Sequence, residues 1–352
     1  MPATIYDVAK RAGVGIGTVS RALNDSPQIL PHTKAKVLKA IEELDYQPHA
    51  MARGLARKKT NMIAVIVPFF TGYFFLELLR GVQQEVTSHD YDLLLYSLDH
   101  RKDKVEDFIE KTLQERRVDG VLLISLPISD YYASLFIQKK CPIVLVDSYH
   151  PKLDSITVKN REGAYLATKH LLSLGHEKVA MIDGQLVSSP AQVRLLGYKQ
   201  ALEENGIPFR DDYLAISDFV SGQDGFNREA GYHAMARLLE LGEGRPTAVF
   251  VSSDIQAAGA MLAIQEAGLN VPDDIALIGF DDIELAEYLE LSTMRQPMFE
   301  MGKLGVERLI DRIDNKKAGD YKISFSTQLI SRKSCGPPCA SKQNNTHETV
   351  SA

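Results

Sequence analysis

From residue 61 onward the chain repeats one unit: a short apolar run, an amphipathic stretch, then another apolar run. This alternation constrains the fold more than any other feature. The runs at 63–67, 92–96, 121–124, 143–146, 179–182, 248–251 and 275–279 read as strands. Between them, 74–86, 104–115, 163–174, 191–204, 225–241 and 255–267 carry apolar residues at helical spacing. Strands separated by helices call for parallel pairing, with helices covering both faces of the sheet. Glycine follows four of these helices, at Gly175, Gly206, Gly242 and Gly268, where the chain turns back into a strand. About 270 residues exceed what one such core holds, so two sheets are expected.

The first 60 residues follow another plan. Thr4 and Asp7 have the spacing of a capping box, with Asp in the place more often held by Glu or Gln. Helix one runs to about Ala12 and stops at Gly13. A second helix starts near Gly15. A turn cluster follows at 24–27, and a third helix spans about 33–44 before Pro48. Two helices joined at Ala12-Gly13-Val14 have helix-turn-helix spacing.

On the second helix, Ile16, Gly17, Ser20, Arg21 and Asn24 share one face, and Val19 and Leu23 lie opposite. A short polar face of this kind fits a major groove. Arg21 can reach guanine O6 and N7 together, and Ile16 can touch a thymine methyl. Thr4, Thr18, Ser20 and Asn24 can donate to phosphates. The alternative is a wet three-helix bundle. Charge weighs against it: residues 1–60 hold ten Lys/Arg against five Asp/Glu, net +5, while the rest holds 30 against 41, net −11. A basic head on an acidic body suggests that the head alone meets a polyanion. Gly13-Val-Gly15-Ile-Gly17 imitates a dinucleotide fingerprint, but it has the wrong spacing and follows a helix.

Other classes are set aside. No apolar run is long enough to span a membrane, and the first residues contain no signal-peptide core. Three cysteines are too few for a disulfide framework and suit a reducing cytosol. Cys335 and Cys339 lack further ligands for zinc.

Residues 4–14 (TIYDVAKRAGV), 18–24 (TVSRALN) and 40–48 (AIEELDYQP) resemble the DNA-binding head of the lactose-repressor (LacI/GalR) family. The resemblance extends through 60–68, 78–81, 118–121, 142–147, 163–168, 174–176, 197–198 and 278–282, so it covers about residues 4–332. It implies an all-α helix-turn-helix head at 1–48 and a hinge helix at 49–60. It implies an α/β body at 61–330 of two Rossmann-like subdomains, the periplasmic-binding-protein type I fold, with three chain crossings between them. The tail, 331–352, is polar and without periodicity, and reads as disordered.

The functional expectation is a ligand-responsive transcriptional regulator, a repressor of carbohydrate-metabolism genes that binds a palindromic DNA operator as a homodimer. It is not an enzyme, and it works in the bacterial cytoplasm on the nucleoid. By resemblance, hinge residue Leu55, flanked by Ala52 and Arg53, wedges into the minor groove. No cofactor is expected beyond a small-molecule effector, a sugar or sugar derivative. Ligands of open α/β sheets bind beyond the carboxyl ends of strands, which selects Ser125, Asp147, Ser253 and Asp281. Family position adds Arg194, Phe219 and Gln296, and an aromatic cleft edge adds Phe69 and Tyr73. Gly15 and Gly17 depart from the common head pattern. Lys159 stands where an aspartate is common, which suggests an acidic or phosphorylated sugar. The tail has no leucine heptad, so a dimer is preferred to a tetramer. A sugar-binding receptor without DNA function is the alternative. A Rossmann-type enzyme is disfavoured for want of a phosphate loop or a catalytic triad.

Overall fold

The computed structural model describes residues 3–23, 28–46, 59–69, 72–98, 105–115, 117–217, 225–316, 319 and 321–336. Three helices form the head: α1 (Ile5–Ala12), α2 (Ile16–Leu23) and α3 (Pro31–Glu43). Thr4 caps α1 as the spacing predicts. Its hydroxyl accepts from Asp7 N–H, and the Asp7 carboxylate accepts from Thr4 N–H at 2.9 Å. Gly13 ends α1 at φ 66°, a left-handed conformation that carries little strain without a Cβ. Val8, Val19 and Val37, one from each helix, meet with no solvent exposure. Ala9, Ala22, Ala40 and Tyr46 complete this core.

The body holds two six-stranded sheets. The first contains β1 (Met62–Val67), β2 (Asp92–Ser97), β3 (Gly120–Ile124), β4 (Ile143–Val146), β5 (Asp154–Val158) and β11 (Lys322–Phe325), in the order β11-β5-β4-β3-β1-β2, all parallel. The second contains β6 (Val179–Asp183), β7 (Leu214–Ile216), β8 (Ala248–Val251), β9 (Ala276–Asp281), β10 (Ser292–Arg295) and β12 (Gln328–Ile330), in the order β12-β10-β9-β8-β6-β7. Only the β10–β12 pair is antiparallel. Central strands such as β3, β4 and β8 are buried along their whole length, as strands covered on both faces must be.

The helices are α4 (Tyr73–Ser88), α5 (Val105–Glu115), α6 (Asp130–Lys139), α7 (Asn160–Ser173), α8 (Ser189–Glu204), α9 (Arg228–Leu239), α10 (Asp254–Glu266), α11 (Glu284–Tyr288) and α12 (Met298–Ile313). The chain passes between the sheets three times: from β5 into α7, from β10 into α12, and from β11 into β12. Helix α12 thus returns to the first lobe, where it lies against α4. The approach is close because a Cβ on Gly81 would collide with the Phe299 carbonyl, and one on Gly302 with the Leu78 carbonyl. Buried Asp154 ties α12 to β5 by accepting from Arg308 and Arg312, each at 2.7 Å. Burial alone would raise its pKa, but the two guanidiniums outweigh burial and hold the carboxyl below its usual range.

Two sequence expectations are corrected. β5, β7, β10, β11 and β12 are absent from the predicted strands, and α6, α11 and α12 are absent from the predicted helices. The tail also starts later than expected. Residues 331–336 fold onto the second lobe through a 3₁₀ turn, Lys333–Cys335. Ser334 donates to the Leu277 carbonyl at 2.7 Å and accepts from Ser292 N–H at 2.8 Å, and Cys335 is buried. The strap's polar side chain at Ser334 satisfies backbone groups of β9 and of the start of β10, which a hydropathy reading cannot see.

Candidate nucleic-acid interface and effector cleft

On the head, Ile16, Gly17 and Arg21 are exposed on α2, Thr18 and Ser20 are half-buried, and Val19 and Ala22 face the core. Ile16 is 41% exposed and lies outside the head's core. Arg21 Nε donates to the Gly17 carbonyl at 3.1 Å, which leaves its two terminal amino groups for a partner. No atom lies within 4 Å of where a Cβ would stand on Gly15 or Gly17, and neither has a φ in the left-handed range. The fold therefore does not require glycine at either position. Gly17 makes the start of the helix bare at a residue cost of about 0.8–1 kcal/mol relative to alanine. Thr4 is a correction: its hydroxyl donates to Asp7 Oδ2 at 2.7 Å, so its proton is engaged in the cap and not available to a phosphate. Asn24, Ala52, Arg53 and Leu55 lie outside the described residues.

In the body, the carboxyl ends of the central strands of both sheets carry polar groups. On the first lobe, Ser125 donates to Asp147 Oδ2 at 2.7 Å. Both residues have left-handed backbones, φ 51° and 52°, directly after β3 and β4. Phe69 stacks edge-on against Phe75 with centroids 4.8 Å apart, and Tyr73, 42% exposed, opens α4 nearby in sequence.

On the second lobe, Arg194 is almost fully buried within α8. Its Nε donates to Asn160 Oδ1 at 2.9 Å, its Nη1 donates to the Ser252 carbonyl at 2.5 Å, and its guanidinium lies 3.9 Å from the Phe280 ring centroid. Asp281 ends β9 and accepts from Gln296 Nε2 at 2.6 Å. Burial pushes the Asp281 carboxyl up to about 7; Arg194 and the Gln296 hydrogen bond lower it, and Asp147 raises it. The last effect crosses between lobes, so Asp147 and Asp281 repel each other over the cleft.

Asp183, at the end of β6, is also raised to about 7. Burial is the cause, offset in part by Ser252, the Gly184 N–H and Arg194. Among the described residues, Asp183 Oδ2 and Gln296 Oε1 are buried without a hydrogen-bond partner. Ser253 does not join this group. It caps α10, accepting from Gln256 N–H at 3.4 Å and donating to Gln256 Oε1 at 2.9 Å. Lys159 pairs with Glu162 at 3.2 Å in an exposed contact, so it gives the cleft no cation. Phe219 lies outside the described residues.

The structure thus brings together Ser125 and Asp147, and separately Arg194, Asp281 and Gln296, with Asp147 felt at Asp281. Sequence reasoning missed Asp183, Phe280 and Asn160. Asp183 obeys the same strand-end rule that selected Asp281. Phe280 reads only as core, and Asn160 carries no motif. Among the described residues, no group of three or more His, Cys, Asp or Glu is placed to hold a metal ion, and no helix is long and apolar enough to cross a membrane.

A basic helix-turn-helix head on a two-lobed body with a polar cleft defines a DNA-binding regulator of the ligand-responsive kind. Residues 4–49 match the family described as bacterial regulatory proteins, lacI family, and 168–335 match the periplasmic binding protein-like domain. Catabolite control protein A of Priestia megaterium is 36% identical over 330 residues, covering 92% of this chain and 96% of that protein. The ribose operon repressor of Haemophilus influenzae is 38% identical over 336 residues, covering 94% and 98%. The lac repressor dimer bound to operator and the anti-inducer ONPF superposes with a TM-score of 0.80 at 28% identity, covering 96% and 100%. The chain belongs to the lacI family and is a DNA-binding transcriptional regulator, not an enzyme. The receptor alternative is not favoured.

Proposed function

We propose that the protein is a repressor of carbohydrate-metabolism genes, acting in the bacterial cytoplasm on nucleoid DNA. Its dimer grips a palindromic operator through two heads, and a neutral sugar or sugar derivative in the cleft alters that grip. The observation that carries this reading is the polar lining at the strand ends of the two lobes, with Ser125 donating to Asp147 on one and buried Arg194 and Asp281, held by Asn160 and Gln296, on the other. Carboxylates and a guanidinium make charge-assisted hydrogen bonds to hydroxyls. A polyhydroxylated ligand inserted between the aspartates replaces their repulsion with shared donors and so favours closure. Excess acidic charge weighs against the phosphorylated or acidic sugar suggested by Lys159. The ribose operon repressor among the relatives supports a carbohydrate theme. The likeness to operator-bound lac repressor supports reading the present arrangement of lobes as the DNA-competent one. Ile16, Gly17, Thr18, Ser20, Arg21 and Asn24 then read or hold the major groove, and Ala52, Arg53 and Leu55 the minor groove at the operator centre.

Duplexes selected from a random pool by the full-length dimer test the DNA half. Enrichment of a palindrome is expected, with affinity falling by about 10³–10⁵ between 50 and 200 mM salt if about 6–10 phosphates are neutralised. Failure to enrich any duplex refutes the reading. Calorimetry with neutral, acidic and phosphorylated pentoses and hexoses tests the ligand half; tight binding confined to the anionic sugars refutes it.

A further inference from the structure

Two of the ionisable groups on the second-lobe wall, Arg194 and Asp281, are each bonded to a segment where the chain passes between lobes. Arg194 Nε donates to Asn160, the first residue of α7 after the crossing from β5. Asp281 accepts from Gln296, in the crossing from β10 to α12. The third crossing is tied to the first, because Lys159 N–H donates to the Phe325 carbonyl at 2.8 Å. Asn160 is in turn held by its own segment, since Nδ2 donates to the Val158 carbonyl at 3.4 Å. Among the described residues, Arg194 is otherwise held by elements of its own lobe: the Ser252 carbonyl and the Phe280 and Phe226 rings. Asn160 is therefore the contact through which Arg194 bears on a crossing.

We propose that Asn160 is a positioning residue that couples Arg194 to the lobe crossings, so that whatever engages Arg194 resets the angle between the lobes and with it the grip on DNA. The inference rests on the regulatory reading above. A ligand hydroxyl that draws the guanidinium away loosens the first crossing, and the third crossing moves with it through Lys159 and Phe325. A ligand acts only through such a difference between two arrangements. Removing the tie without any ligand has the same direction. It lowers the fraction of dimers in the DNA-competent arrangement, and apparent affinity falls with that fraction.

The test measures operator affinity of the full-length, ligand-free dimer on the duplex that the wild type selects, with thermal melting alongside. N160A is expected to bind about five- to tenfold more weakly, in the range of ordinary coupling between sites. N160D, which keeps the acceptor opposite Arg194, is expected to stay within about twofold of wild type. R194K, which lacks the Nε donor, is expected to match N160A, and the N160A/R194K double variant to lose no more than either alone. A merely structural asparagine would lower the melting temperature without this rescue or this non-additivity. Wild-type affinity in N160A, or losses that multiply in the double variant, overturns the proposal. Should N160A fail to fold, R194K against R194K/N160D makes the same comparison: equal affinity supports the coupling, and a further loss overturns it. If the wild type selects no duplex, the regulatory reading falls first, and this inference falls with it.

Discussion

The head and the body place their functional groups in opposite settings. The head has a core of seven residues, six of them valine or alanine and the seventh Tyr46, and carries Ile16 and Arg21 in the open. The body has several large cores and keeps Arg194, Asp183 and Asp281 almost wholly buried. Side chains on the head surface can therefore change binding without changing the fold. In the cleft the groups that meet a ligand also hold the lobe together, so function and stability are entangled there. Ligand control requires that entanglement, because only a group built into the structure can transmit its occupancy.

The largest expected effect breaks the body. Phe280→Ala removes a fully buried ring beneath Arg194 and should destabilise the second lobe by about 3–5 kcal/mol. Denaturant unfolding would show it, with ligand response lost in parallel. Stability unchanged from wild type would deny the ring its dual role. Next, Arg21→Ala should weaken the selected operator by about 1–3 kcal/mol while non-specific binding and the melting curve hold. A drop in melting temperature equal to that of a core variant would erase the contrast between the regions.

The third prediction concerns pH. Asp183 titrates near 7 when folded and near 4 when unfolded, so the native state binds more protons between these values. Its contribution to stability is full below about 4 and is lost as pH rises through about 7. Body melting should fall by several degrees from pH 5 to 8 as Asp183 and Asp281 lose their protons, and Asp183→Asn should reduce that slope without abolishing it. An unaltered slope would move the buried proton elsewhere. The smallest effect sharpens the head. Gly17→Ala has room and an allowed backbone, so it should stabilise α2 by up to about 1 kcal/mol. If the bare start of the helix serves a close approach to DNA, the same variant should bind its operator less tightly. Tighter or equal binding would make the glycine incidental.

Local signals in the sequence were legible because local chemistry makes them. Thr4, Asp7 and Gly13 act within one helix, and the central strands are long apolar runs. β10 was not legible because its buried residues include Ser292 and Thr293, whose hydroxyls are satisfied by distant partners, Arg332 and Asp254. The strap at 331–336 escaped for the same reason. Within the cleft, Asp281 and Arg194 were legible by position. Ser253 misled because a serine beyond a strand serves equally as a helix cap, and only the three-dimensional partner decides. Asn160 has no signature at all, since its meaning comes from an arginine on the next helix.

The triple passage between lobes has a bearing on how the molecule is made. The first sheet takes β11, residues 322–325, and its covering helix α12 from sequence that follows all of the second lobe except β12 and the strap at 331–336. A ribosome delivering the chain from its amino end must emit nearly all of it before that sheet is whole. The head, by contrast, needs only its own first few dozen residues. The fold of the head is thus ready early in synthesis, while the apparatus that governs it matures last.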